Sequence, residues 1–270
     1  MSQPTTIAER FLAMHEGAQP LLLGNVWDQG SAKLLTSLGY EALATTSSGH
    51  AATLGRLDYA VGRDAALAHA GSLVGATAAP VSADLEDCFA DNLDGVADTV
   101  TAAVACGLAG CSIEDWNPRE QRLYDIDEAV ARVEAAATAA HTGAARLVLT
   151  ARAENYLRGR RDLDDTIQRL QRYQEAGADV LYAPALQRHE DIARLVASVE
   201  RPVNVLALPG LPPIDELATI GVARVSVGGS FAFAALGAVA SAASELLQRG
   251  TYGFTELAAA GARAAREAFA

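Results

Sequence analysis

Short apolar runs recur along the chain, each followed by a small or acidic residue and then by a longer amphipathic stretch. Eight of them read as strands: residues 21–23, 42–44, 80–84, 111–114, 147–150, 180–182, 203–206 and 225–227. Their apolar character is continuous rather than alternating, as expected of parallel strands covered on both faces. Residues 31–35 lead to a helix stop at Gly39, and residues 126–140 and 163–176 space apolar positions three and four apart, the second ending at Gly177. These segments predict helices. Eight strand–helix pairs in about 250 residues, with no linker between them, predict a single (β/α)8 barrel. That domain takes in 1–270, with 236–270 as C-terminal helices beyond what closure requires. A doubly wound sheet is the weaker reading, because no Gly-rich phosphate turn follows the first strand. The surplus helices are expected to pack on a neighbouring subunit. Residues 231–243, the most apolar long stretch, are too short to span a bilayer and read as a buried helix.

Composition narrows the partners. Of 270 residues, 50% are hydrophobic and 20% charged, which excludes wholesale disorder. The net charge of −12 argues against nucleic acid or an anionic membrane as partner. Three cysteines, Cys88, Cys106 and Cys111, make no disulfide framework and point to a reducing, cytoplasmic setting. The first 17 residues show no basic segment followed by an apolar core, so no signal peptide is expected.

In a barrel, residues at the C-terminal strand ends face the active site. Those ends carry Thr45 to His50 with Asp58, then Asp84, Glu86 and Asp87, then Glu114 and Asp115, then Arg152, Glu154 and Asn155. Carboxylates from several strands thus converge, and like charges at close range resist joint ionisation. A hard divalent cation resolves the conflict, and oxygen-only donors favour Mg²⁺, or Mn²⁺, over Zn²⁺. Arg152 then suits an anionic substrate oxygen or carboxylate. Each residue also has a plainer reading. Asp84 or Glu114 alone would serve as a helix N-cap, and Arg152 as an ion-pair partner of Glu114 or Glu154. Asp87 and Asp115 read as solvated loop residues. His50 is the one histidine placed at a strand-end loop and a secondary catalytic candidate, whereas His15, His69, His141 and His189 read as structural or solvated. Cys111 reads as core, and Cys88 lacks an activating base.

Several ordered segments resemble the isocitrate lyase/phosphoenolpyruvate mutase superfamily. They are Asn25-Val26-Trp27-Asp28-Gln29-Gly30-Ser31-Ala32, Thr46-Ser47-Ser48 with Leu54-Gly55-Arg56-Leu57-Asp58, and Asp84-Leu85-Glu86. Gly110-Cys111-Ser112-Ile113-Glu114-Asp115, Ala151-Arg152-Ala153-Glu154 and Arg224-Val225-Ser226-Val227-Gly228 complete the set, which covers about residues 18 to 235. The resemblance implies a (β/α)8 barrel whose last helix is exchanged between subunits of a homodimer or homotetramer. It implies a metal set of Asp84, Glu86 and Glu114, the last two acting largely through water. The implied substrate-binding set is Thr46, Ser47, Ser48, Arg152 and Asn204, and the implied catalytic set is Asp58, Glu114 and Arg152. A small α-keto acid would bind there and react through a pyruvate-type enolate.

The chain also departs from that pattern. Where the lyases carry Lys-Lys-Cys-Gly-His, residues 115–122 read Asp-Trp-Asn-Pro-Arg-Glu-Gln-Arg. The mutases' Lys-Thr-Asn-Ser is missing, and Ala183-Pro184 stands where they place a His. The expectation is a Mg²⁺-dependent C–C lyase or oxaloacetate-type decarboxylase acting on a small 2-keto or 2-hydroxy diacid. The alternatives are a phosphonopyruvate hydrolase or mutase, and a non-catalytic carboxylate binder. Residues 116–127, with Arg119 and Arg122, are either a lid over a distal carboxylate or an ordinary solvated loop.

Overall fold

The computed structural model describes residues 6–142 and 145–270. Residues 1–5, the head of the stretch read for a signal sequence and of the 1–270 domain, lie outside the described residues, as do 143–144. Eight strands form the barrel: β1 (Leu21–Val26), β2 (Ala42–Thr45), β3 (Val81–Asp84), β4 (Gly110–Glu114), β7 (Val148–Arg152), β8 (Val180–Tyr182), β9 (Val203–Leu206) and β10 (Arg224–Ser226). They close in the order β1-β10-β9-β8-β7-β4-β3-β2, and every neighbouring pair is parallel. Between β4 and β7, β5 (Trp116–Asn117) and β6 (Arg122–Leu123) make a separate antiparallel hairpin.

The helices that matter to the site are α1 (Ile7–Ala13), α2 (Gln29–Ser37), α3 (Ser47–Thr53), α4 (Arg63–Val74), α5 (Leu93–Ala105), α6 (Ile126–His141) and α7 (Leu163–Glu175). Then come α8 (His189–Ala197), α9 (Ile214–Thr219), α10 (Ser230–Arg249) and α11 (Thr255–Phe269). The predicted stops after α2 and α7 are real: Gly39 and Gly177 have φ of +100° and +104°, where a side chain is strained. The main core lies between strands and helices, around Leu43, Leu85, Ile113, Leu149, Leu170 and Leu181. A smaller apolar cluster, with Phe11 and Ala8 of α1 under Leu21, Leu23, Ala42, Ala109 and Val148, seals the N-terminal end of the barrel. Gly110 opens β4 because a Cβ there would sit 2.9 Å from both the Phe11 ring and the Val148 carbonyl.

One element departs from the sequence reading. The helix expected over 231–243 is longer, 20 residues, and only Ala232 on it is buried. By length and composition it suffices to cross a bilayer. Phe233, Leu236, Val239, Leu246 and Leu247 are exposed. An apolar, small-residue composition is shared by core helices and by helices that present an uncovered face, so periodicity did not separate the two. α11 lies against α2 of the same chain and buries no residue fully.

Candidate active site

Three strand ends carry the site. β3 ends at Asp84, β4 at Glu114 and β7 at Arg152. The parallel register sets Glu114 beside Arg152 on adjacent strands. Arg152 spreads its guanidinium over three acids: Nη1 donates to Asp84 Oδ1 at 2.9 Å, and Nε and Nη2 donate to Glu154 Oε1 at 3.0 and 2.8 Å. Its Nη2 also lies 3.1 Å from Glu114 Oε2. Ser47 Oγ, from the first turn of α3, donates to Asp84 Oδ2 at 3.1 Å. Tyr59 Oη donates to Glu114 Oε1 at 2.6 Å. Thr46 caps α3 by accepting from the Gly49 amide. The amides of Ser47 and Ser48 stand in the first turn, where no intrahelical acceptor exists.

Carboxylates outnumber cations in this cluster, and their proton affinities record it. Burial, and then the neighbouring Asp84 and Asp58, push the Glu86 carboxyl up to about 9. Burial raises Glu114 well above the usual carboxylate range against the pull of Arg152, and raises Glu154 likewise. Asp58, whose side chain reaches solvent at the rim, is raised by the protein packed around it and then by Asp84. Glu154 Oε2 is buried without a hydrogen-bond partner. A cavity of about 220 Å³ opens over the cluster, lined by Ser47, Ser48, Asp58, Asp84, Glu114 and Arg152 among others.

The structure therefore gathers Thr46, Ser47, Ser48, Asp58, Asp84, Glu114 and Arg152 around one cavity. Glu86 sits behind Asp84, 4% exposed, with its backbone at φ +51°. Asn204 lines the cavity too, but its amide is spent on Ser226 Oγ and on Arg224 Nε, each at 3.0 Å. His50 stacks face to face on His69, ring centroids 3.7 Å apart, beside Asp84 and Glu86 in a narrow recess. Burial lowers the proton affinity of both rings. Cys88 and Cys111 are fully buried and their thiols are pushed up, Cys111 to about 12, so neither supplies a thiolate.

One expectation is overturned. Asp87 and Asp115 are not solvated. Asp115 is 3% exposed, accepting from Arg169 Nη1 at 2.9 Å, Tyr173 Oη at 2.6 Å and the Glu154 amide at 2.7 Å. Asp87 is wholly buried and accepts from Arg119 at 2.5 Å and Tyr124 Oη at 2.9 Å. Of the two readings left open for residues 116–127, this arrangement agrees with the loop: Arg119 and Arg122 do not reach over the cavity. Arg119 is held by Asp87, Asp91 and the Ala90 carbonyl, and Arg122 pairs outward with Glu120 and Glu128. Two residues of the site escaped the sequence reading, Tyr59 and Arg158. Both line the cavity and both approach Glu114.

Among the described residues no three His, Cys, Asp or Glu side chains form a ready-made metal cage. The donor chemistry nonetheless fits a hard divalent cation. Such an ion needs only one or two carboxylates and completes its shell with water and substrate oxygens. Asp84 and Glu114 line the cavity, and Glu154 Oε2, buried beside them, makes no hydrogen bond among the described residues and stands 3.5 Å from Arg158 Nη2.

The chain is similar to known proteins over most of its length. The chain is 36% identical over 239 residues to an uncharacterised protein of Mycobacterium tuberculosis, covering 86% of this chain and 87% of that one. It is 31% identical over 217 residues to oxaloacetate decarboxylase of Paraburkholderia xenovorans, covering 76% and 70%. A crystal structure of a candidate lyase/mutase from Burkholderia cenocepacia J2315 superimposes with a TM-score of 0.89 at 49% identity, covering 92% and 90%. A phosphonopyruvate hydrolase crystallised with oxalate and Mg²⁺ shares the fold, with a TM-score of 0.80 at 23% identity and coverage of 91% and 88%. The model of the phosphoenolpyruvate phosphomutase family matches residues 11–247, a span that includes every strand end described above. With barrel, strand-end acids and arginine all inside that span, the chain belongs to the phosphoenolpyruvate phosphomutase family, within the isocitrate lyase/PEP mutase superfamily.

Proposed function

We propose that the protein is a Mg²⁺-dependent enzyme that breaks a C–C bond of a small 2-oxo or 2-hydroxy diacid through a pyruvate-type enolate, with oxaloacetate decarboxylation as the leading reaction. The observation that carries this reading is the convergence of Asp84, Glu114 and Arg152 at adjacent strand ends, with acids in excess of cations. Asp84, Glu86 and Glu114 would hold the cation, which when bound supplies Lewis-acid stabilisation of a developing enolate oxygen. Arg152 makes four contacts to acids and has five N–H groups, leaving a donor for an oxygen of the substrate. The amides of Ser47 and Ser48 would receive the carboxylate next to the 2-oxo group. When CO₂ leaves, the electron pair of the broken bond enters the enolate, and a proton must then reach the carbon that lost it. The rim residue Asp58, its carboxyl raised, is the protein group best placed to carry that proton. C–P chemistry is disfavoured by Ala183-Pro184, where a His would be expected.

The exposed apolar residues of α10 and α11 support a homo-oligomer in which a second copy covers that face. A cytoplasmic enzyme with no nucleic-acid or membrane partner agrees with the acidic charge and the free cysteines.

The test is a panel of 2-oxo and 2-hydroxy diacids plus phosphonopyruvate, assayed for pyruvate release with and without Mg²⁺. Mg²⁺-dependent pyruvate from oxaloacetate is the expected result. Pyruvate from phosphonopyruvate alone would move the reaction to the C–P class. No turnover of any member, with Mg²⁺-dependent binding of oxalate retained, would leave a non-catalytic carboxylate binder.

A further inference from the structure

The cavity wall holds a second arginine whose donors are largely unspent. Arg158 follows Glu154 in a tight turn closed by its own amide, which donates to the Glu154 carbonyl at 2.9 Å. Its guanidinium is clasped between two rings, with Cζ 4.3 Å from the Trp116 centroid and 5.2 Å from that of Tyr59. The only hydrogen bond its side chain makes among the described residues is from Nη2 to the Tyr59 hydroxyl. Glu154 Oε2 and Glu114 Oε1 stand off at 3.5 and 3.8 Å, beyond good hydrogen-bond range. Its Nε is buried without a partner. Arg152, by contrast, is in contact with three carboxylates.

The contrast has a consequence for ligand choice. A dianion entering this cavity meets Asp58, Asp84 and Glu114, and its far carboxylate is repelled wherever those acids face it. Arg224 also lines the cavity, but at its floor and committed to Asn204, Thr150 and His15, so Arg158 is the cation of the upper wall whose planar fork can meet a carboxylate bidentately. Leu157, Pro184 and Leu206 also line the cavity and offer no charged partner. The β5–β6 hairpin thus contributes an aromatic plate, Trp116, rather than its own cations.

We infer that Arg158, clasped by Trp116 and Tyr59, receives the second carboxylate of a 2-oxo diacid and so selects such substrates over their monocarboxylate counterparts. This rests on the reading of the cavity as a 2-oxo acid site, and the experiment separates the two. Binding of oxalate, which fills only the carboxylate and oxo positions, and of 3,3-difluorooxaloacetate, which adds the second carboxylate, is measured by calorimetry in Mg²⁺. The proteins are the wild type, Arg158→Gln and Arg158→Lys. The expected result is oxalate affinity within about twofold in all three and a loss of about 10- to 100-fold for the longer diacid in Arg158→Gln. Arg158→Lys, which keeps the charge and loses the fork, should fall between. Equal losses for both ligands in both variants would show that Arg158 serves the acid cluster instead, and unchanged diacid affinity would also overturn the inference. Failure of the wild type to bind oxalate at all would remove the 2-oxo acid reading, and this inference with it.

Discussion

The two ends of the barrel interior carry opposite charge problems. At the C-terminal mouth, Asp84, Glu114 and Glu154 surround Arg152, and the carboxyls of Glu114 and Glu154 are raised by burial against the pull of Arg152, with neighbouring acids adding to it. At the N-terminal floor a cation lacks an acid. Arg224, 3% exposed, donates to Asn204 Oδ1 and Thr150 Oγ1 at 3.0 Å each and faces His15 Nε2 at 3.2 Å, and no carboxylate pairs with it among the described residues. Burial pulls Arg224 down to about 10, and burial followed by Arg224 pulls His15 down to about 4. The floor is thus satisfied by neutral dipoles and sealed by α1, which suits a structural role. The mouth is unsatisfied and open, which suits a site awaiting a cation and a ligand. A third arrangement, behind the mouth, shows how this fold neutralises an acid it does not use: Asp115 is saturated by Arg169, Tyr173 and an amide.

These contrasts can be broken experimentally. Asp84→Ala should lower Mg²⁺-dependent turnover by more than the roughly 100-fold typical of residues that only support a metal ligand. Its melting temperature should stay level or rise, since one like charge leaves a crowded mouth. A large fall in melting temperature would mean the mouth is structural after all. Asp115→Ala should do the reverse, costing about 3 kcal/mol in urea unfolding because Arg169 Nη1, Tyr173 Oη and the Glu154 amide lose their shared buried acceptor, while turnover per folded molecule persists.

The floor is tested by pH. His15 binds a proton less readily folded, at about 4, than unfolded, near 6.5. Between those values the unfolded chain holds more protons, so stability rises with pH across that window and is lost as pH falls through it. The contribution is about 3 kcal/mol, and urea midpoints of His15→Gln should show a flatter slope from pH 4 to 6.5. The smallest effect is expected at the hairpin. Arg122→Ala should leave both turnover and the urea midpoint unchanged, because its ion pairs with Glu120 and Glu128 are exposed. A raised KM would restore it as a lid residue.

Much of this was legible in the chain. Continuous apolar runs and glycine stops located the barrel, and the polar residues that end those runs located Asp84, Glu114 and Arg152. Burial of Asp87 and Asp115 was hidden because their partners are distant in the chain: Arg119 and Tyr124 lie 32 and 37 residues on from Asp87, and Arg169, 54 residues on from Asp115, sits on an amphipathic helix where an arginine looks solvated. Tyr59 and Arg158 sit in irregular segments without periodicity. The signal that was present is the cationic stretch Arg158-Gly159-Arg160-Arg161 immediately after a strand-end acid. The uncovered face of α10 was hidden because a core helix and an exposed apolar helix share one local pattern.

Glu114 and Asp115 are adjacent, yet one meets the cavity and the other a buried arginine behind it. Successive side chains on an extended strand point to opposite sides, so the assignment is a matter of parity. Removing one residue from β4 would therefore exchange the two roles at once, placing the short carboxylate in the cavity and the long one against Arg169. Composition and net charge would barely change. Chimeras and loop grafts in this family should accordingly tolerate length changes in the turns after the strands far better than within them, and homologous strands should be aligned by odd and even position before they are aligned by acid.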